Sequence, residues 1–251
     1  MSKFLYTIPV ALLGAAVVIV QPQVVLAQNK AEDFFNQGVA KYDQKDYQGA
    51  IAAFTEAIRL NPNYALAYYS RGFTRTDMGD NRGAITDYSQ AIKINPNYVD
   101  AYINRGIARA DLGDNQGAIT DYNQAIKINP NEALAYLNRG IARAKLGNKQ
   151  GAIADFNQAL KINPNYALAY YSRGNARADS GDRQGAIADY SQAIQINPNF
   201  AQAYGNRGIT RSKLGDKKGA IADLQQAAKL FQQQGKPADA QKALDLVRRL
   251  R

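Results

Sequence analysis

Prolines at positions 62, 96, 130, 164 and 198 stand 34 residues apart, each inside Asn-Pro-Asn. Between them the chain rewrites one pattern: Ala-Tyr-x-(Asn/Ser)-Arg-Gly, then Gly-(Asp/Asn), then Gly-Ala-Ile-x-Asp-(Tyr/Phe/Leu). A fixed period of this length is the mark of a solenoid of stacked units. One such unit cannot bury its own apolar face, so each must pack on its neighbours. Six units can be framed, at 31–64, 65–98, 99–132, 133–166, 167–200 and 201–234.

Each unit reads as two helices. In the third, Asn97 is expected to cap the first helix, on which Tyr102, Arg105, Gly106 and Arg109 share a face by 3–4 spacing. Gly113 can take the left-handed conformation that ends it. Asp114 is placed to cap the second helix, whose apolar stripe is Ala118, Ile119, Tyr122, Ala125 and Ile126. Pro130 stops that helix, because proline has no amide hydrogen and restricts the residue before it. Gly106 and Ala118 are small where two helix backbones are expected to come close. After the last unit, residues 237–251 form a capping helix opened by Pro237. Ala240, Leu244, Val247 and Leu250 form its inner stripe, with Arg248, Arg249 and Arg251 facing water.

The residues that carry this pattern in the third unit are Tyr102, Gly106, Ala118, Tyr122, Ala125 and Pro130. In this the chain resembles the tetratricopeptide repeat (TPR) family. The first unit matches with Phe34, Gly38, Ala50, Phe54, Ala57 and Pro62, while the sixth has Leu224 for the second aromatic and lacks the proline. The resemblance implies an all-α, right-handed α-solenoid of stacked helix-turn-helix hairpins, closed by the C-terminal capping helix.

Composition limits the chemistry. The chain has no cysteine and no histidine, which removes thiolate sites, the commonest general base and the commonest zinc ligand. No catalytic residue, metal or cofactor is expected. The N-terminus carries one lysine, Lys3, then an apolar run from Phe4 to Val20 and Val25-Leu26-Ala27. This pattern predicts a secretory signal over residues 1–27, cut after Ala27; the alternative is an uncleaved anchor, since 17 apolar residues are at the short limit for spanning. The expected location is exported: periplasmic, lumenal or extracellular.

The net charge of +10 is concentrated in a ladder that holds ten of the 16 arginines: Arg71/Arg75, Arg105/Arg109, Arg139/Arg143, Arg173/Arg177 and Arg207/Arg211. An aspartate follows the first arginine of each pair by 16 places: Asp87, Asp121, Asp155, Asp189 and Asp223. Unit one has Gln37, Lys41 and Ala53 instead, so the first arginine and the aspartate disappear together. This predicts structural ion pairs Arg71–Asp87, Arg105–Asp121, Arg139–Asp155, Arg173–Asp189 and Arg207–Asp223 within the units. The fork of the first arginine can also bridge to a neighbouring unit. Five aspartates cannot neutralise ten arginines, so the second arginines, Arg75, Arg109, Arg143, Arg177 and Arg211, are left to stack on tyrosine or to bind an anion.

By the family resemblance, first helices line a concave groove that takes a peptide or protein partner. Helical phase then puts in the groove Asn36, Ser70, Asn104, Asn138, Ser172 and Asn206, whose amides and hydroxyls suit a peptide backbone. Phe35, Tyr69, Ile103, Leu137 and Tyr171 run beside them, followed by Val39, Phe73, Ile107, Ile141, Asn175 and Ile209. None of these places carries Lys or Arg, so the basic carboxylate clamp of chaperone-binding relatives is missing. The expected function is therefore an exported, non-enzymatic interaction scaffold, with assistance in complex assembly as the role the resemblance suggests. The alternative is a basic helical-repeat protein on an anionic partner, nucleic acid or membrane surface. Nucleic acid is the less favoured partner, and a membrane enters only if the N-terminal segment is retained.

Overall fold

The computed structural model describes residues 22–251. Most of the predicted leader lies outside them; the predicted cut after Ala27 falls within the first helix. Among the described residues there are thirteen helices. The six units are α1 (Pro22–Asp43) with α2 (Tyr47–Leu60), α3 (Ala65–Asp77) with α4 (Asn81–Ile94), and α5 (Val99–Asp111) with α6 (Asn115–Ile128). Then come α7 (Ala133–Lys145) with α8 (Lys149–Ile162), α9 (Ala167–Asp179) with α10 (Arg183–Ile196), and α11 (Ala201–Lys213) with α12 (Lys217–Gln233). The last helix is α13 (Pro237–Leu250). No described helix is long and apolar enough to cross a membrane.

Local signals set the boundaries. Gly113, at φ 87°, makes the left-handed turn after α5 that only glycine adopts readily. Asp114 then accepts from the Gly117 amide at 2.8 Å, capping α6. The same cap recurs at Asp46, Asp80, Asn148, Asp182 and Asp216. Asn97 does not cap α5, contrary to its spacing. The N-cap is Tyr98, which makes no side-chain cap bond. Asn95 instead accepts the Asn97 amide at 3.1 Å across the proline, which tightens the turn. Tyr98 turns its ring onto Tyr69, centroids 4.9 Å apart, so packing replaces a cap at this end.

The core is an alternation of alanines and aromatics. Ala84, Ala118, Ala152, Ala186 and Ala220 are fully buried, and Tyr88, Tyr122, Phe156, Tyr190 and Leu224 are nearly so. Gly106 is small for a different reason than a facing backbone: a Cβ there would lie 2.6 Å from Cε1 of Tyr122. The glycine leaves room for the ring of the following helix. At the C-terminal end, Ala240, Ala243 and Val247 of α13 are buried, the first two in one cluster with Leu230 and Phe231 of α12. Arg248, Arg249 and Arg251 are exposed.

Successive first helices touch one another, α3 with α5, α5 with α7, α7 with α9 and α9 with α11, whereas second helices do not approach as closely. The first helices therefore line the inner, concave side of the stack. Their residues form the face described next.

Candidate partner-binding face and the arginine seam

Helix phase puts the ladder arginines at the seam between the two helices of a unit, where the aspartate is also buried. In the third unit, Arg105 donates to Asp121 through Nη2 at 2.7 Å and Nε at 3.0 Å, a two-pronged contact. Arg109 donates to the same carboxylate through Nη1 at 2.8 Å. The pattern repeats at Arg71/Arg75 with Asp87, Arg139/Arg143 with Asp155, Arg173/Arg177 with Asp189 and Arg207/Arg211 with Asp223.

The second arginines are thus neither tyrosine-stacked nor free for an anion. One carboxylate takes three charge-assisted bonds from two guanidinium groups, an arrangement that counting charges does not reveal. The stacking falls to the first arginine of each pair: the guanidinium carbon of Arg105 lies 5.6 Å from the Tyr102 ring centre, and its four counterparts sit on Tyr68, Tyr136, Tyr170 and Tyr204. Its remaining Nη1 reaches back to the preceding unit: Arg71 to Thr55, Arg105 to Ser89, Arg139 to Asn123, Arg173 to Asn157 and Arg207 to Ser191, at 2.6–3.0 Å. Part of the surplus positive charge is met by cap aspartates, as at Arg75 with Asp80 (3.8 Å), Arg177 with Asp182 (3.6 Å) and Arg211 with Asp216 (3.6 Å). All ten ladder arginines hold an aspartate, so the ladder is scaffold and not an open cationic stripe.

The concave rows differ in how far they remain open. Asn36 is exposed, Ser70, Ser172 and Tyr69 are half-buried, and Phe73 is 39% exposed. Ile103 and Leu137 are buried between units and offer no surface. Asn104 donates Nδ2 to the Tyr69 hydroxyl at 2.8 Å. Asn206 does the same to Tyr171 at 3.1 Å and to Asn175 Oδ1 at 2.8 Å. These two amide donors, read from sequence as partner contacts, instead join one first helix to the previous one.

Asn138 is the exception. The residue 35 places before it is Ile103, which has no hydroxyl to receive its amide. Its Nδ2 is buried without a partner. It borders a cavity of about 100 Å³ between the third and fourth units, with Ile107, Asp111, Tyr122, Ile141 and Lys145. Where Tyr88 and Tyr190 bond through their hydroxyls to Thr76 and Asn175, Tyr122 faces Ala110 and Ile107 at the matching places. Burial raises the pKa of all three phenols above the ordinary value near 10.

Sequence reasoning missed a further row. Leu66, Leu134 and Leu168 sit one turn before Ser70, Asn138 and Ser172 on the same helix face, at 42%, 38% and 43% exposure. Exposed leucines in phase with the asparagine row were the available signal. The fourth row carries Asp43, Asp77, Asp111 and Asp179, with Lys145 and Lys213 at the matching places. Tyr42 of the first unit donates to Asp77 of the second; that bond, with burial, pushes the phenol up to about 12.

Among the described residues there is no group of acids able to hold a metal ion. With the geometry in place, comparison with known proteins defines the class. The TPR repeat model matches residues 38–79, 74–113, 108–147 and 174–215, and tetratricopeptide repeat models match 133–166 and 201–234. The chain belongs to the tetratricopeptide repeat family, a family of non-enzymatic scaffolds that bind peptides and proteins. Curated protein sequences returned no match. Among solved structures, MamA is 29% identical with a TM-score of 0.61, covering 66% of this chain and 96% of its own. PilW, a type IV pilus biogenesis factor, is 20% identical with a TM-score of 0.74, covering 85% and 98%. YrrB, a TPR protein with an unusual peptide-binding site, is 20% identical with a TM-score of 0.59, covering 76% and 98%.

Proposed function

We propose that this chain is an exported scaffold that holds a polypeptide segment of a partner protein along its concave face and so supports assembly of a complex outside the cytoplasm. The observation that carries the groove reading is the row of exposed apolar side chains on the inner face, Leu66, Phe73, Leu134 and Leu168. Apolar side chains left open along one face are covered when an extended or helical partner segment lies on them. Export is read from the apolar N-terminal run and Val25-Leu26-Ala27. Pairing of the arginine ladder with buried aspartates favours this over an anionic partner.

The test is selection of binding peptides from a random display library against the full chain. Binding of the selected peptides weakens at least tenfold in Phe73→Glu and in Leu134→Glu, and is unchanged in Gln124→Glu on an outer helix. Binding indifferent to both inner-face changes would overturn the reading. Export is tested separately by fractionating the host: a chain retained in the cytoplasm removes that part.

A further inference from the structure

Three of the six units hold an aromatic ring at one position of the first helix. Phe35 packs on Phe54 and Tyr64, Tyr69 on Tyr88 and Tyr98, and Tyr171 on Tyr190 and Phe200, with centroids 4.8–6.0 Å apart. The third and fourth units fill the place with Ile103 and Leu137, both buried. In the sixth unit the position is Gly205, and the places of the two aromatics that face the ring in other units hold Leu224 and Gln234. Gln234 turns away and donates to the Asn199 carbonyl at 2.9 Å. A Cβ built on Gly205 would meet only Ala227 Cβ, at 3.9 Å.

The result is a cavity of about 260 Å³ that includes Gly205, Leu224, Phe231, Ala243 and Leu246 in its lining, between α11, α12 and the capping helix. Its floor is apolar, while Asp239 and Lys242, paired at 3.1 Å, also border it. This is below the roughly 300–1,000 Å³ of small-molecule sites. It is well above the roughly 150 Å³ that accepts a benzene ring in an engineered apolar cavity. The size accommodates one ring.

We propose that this cavity takes one aromatic side chain, tyrosine or phenylalanine, from the partner polypeptide lying in the groove. The internal copies point to the occupant: of the other five units, the first, second and fifth fill this place with their own ring, and the third and fourth with Ile103 and Leu137. An aromatic anchor in a preformed pocket is a strong kind of interface contact. The cavity fixes the C-terminal end of the groove, and the flanking Asp239 and Lys242 meet polar backbone groups beside the ring. The inference rests on the groove reading above and names one of its subsites.

The experiment titrates the full chain with N-acetyl-tyrosinamide, N-acetyl-phenylalaninamide and N-acetyl-alaninamide, following the amide resonances of Gly205, Leu224 and Ala243. The two aromatic probes give saturable shifts and the alanine probe binds at least tenfold more weakly. Gly205→Tyr supplies its own ring, abolishes the shifts and raises Tm. Where that variant does not melt cooperatively, Leu246→Phe narrows the cavity from the capping helix and also weakens the aromatic probes. Equal binding of all three probes, no saturable shift, or shifts unchanged in the variants would overturn the proposal. So would pocket signals that vanish on diluting the protein alone, which assign the place to a second copy. Selected peptides that need Phe73 and Leu134 but ignore Gly205→Tyr overturn the pocket and leave the groove reading standing. Peptides that respond at Gly205 alone do the reverse.

Discussion

The seam inside each unit and the face shared between units are built from the same helices, yet they vary in opposite ways. At the seam, two arginines and one aspartate recur in five units with donor–acceptor distances that differ by a few tenths of an ångström. On the inner face the corresponding places hold phenylalanine, tyrosine, isoleucine, leucine, tyrosine and glycine in turn. Six copies of one design thus act as a controlled series. What must be identical within a unit is kept, whereas the side chain between neighbouring first helices varies from a ring to the buried Ile103 and Leu137 to Gly205.

The sharpest way to break this contrast is at the seam. Asp121 is 1% exposed and takes three bonds from two guanidinium groups. Asp121→Ala leaves both without a counter-charge and is expected to destabilise by about 3–5 kcal/mol, read as a lowered urea midpoint. A change under about 1 kcal/mol would make the seam as dispensable as a surface pair.

A smaller effect separates two asparagines that look alike in sequence. Asn104→Leu strips the Tyr69 hydroxyl of its donor and is expected to destabilise by about 1–3 kcal/mol. Asn138→Leu removes an amide that has no partner to lose, and is expected to be neutral or stabilising in the same urea titration. Equal losses would mean that both amides are held within the fold, and would dissolve the distinction between closed and open junctions.

The smallest effect is alkaline. Burial holds Tyr88, Tyr122 and Tyr190 protonated in the fold above the pH at which the unfolded chain ionises, near 10. Their stabilising contribution is present below that pH and falls as pH rises beyond it. Tyr42, at about 12 through its bond to Asp77, behaves the same way over the window from about 10 to 12. Tyr122→Phe, as in the unit that already uses Phe156, should change little at pH 7 and flatten the decline of the urea midpoint between pH 9 and 11. A parallel decline in wild type and variant would remove the phenol as a cause.

Much of this was legible in the chain itself, because a period of 34 residues fixes hairpins, turns and caps together. The covariation of the first arginine with the aspartate pointed to the seam. Charge counting misses the second arginine because it treats a carboxylate as one partner, whereas its two oxygens accept from several directions. Asn97 is not a cap because α5 begins one residue later than the spacing suggests, with Tyr98 at the N-cap position. Nor does helical phase alone tell that Ile103 is buried while Tyr69 stays half open; that depends on how near the next first helix comes. The cavity at Gly205 did leave a signal, since the row of large side chains at that register stops at Tyr171.

The guanidinium link between units runs one way. Each of the first arginines reaches back to a hydroxyl or amide on its predecessor, and none of the five reaches forward. The array therefore has a polarity like that of a roof tiled from one edge: every course overlaps the one laid before it. The first unit, with Gln37 and Lys41 in these places, is the course that overlaps nothing. Because a chain leaves the ribosome from its N-terminus, each new unit emerges beside an acceptor already in place. Removing units from the C-terminal side leaves no ladder guanidinium without this acceptor, whereas removing them from the N-terminal side always does.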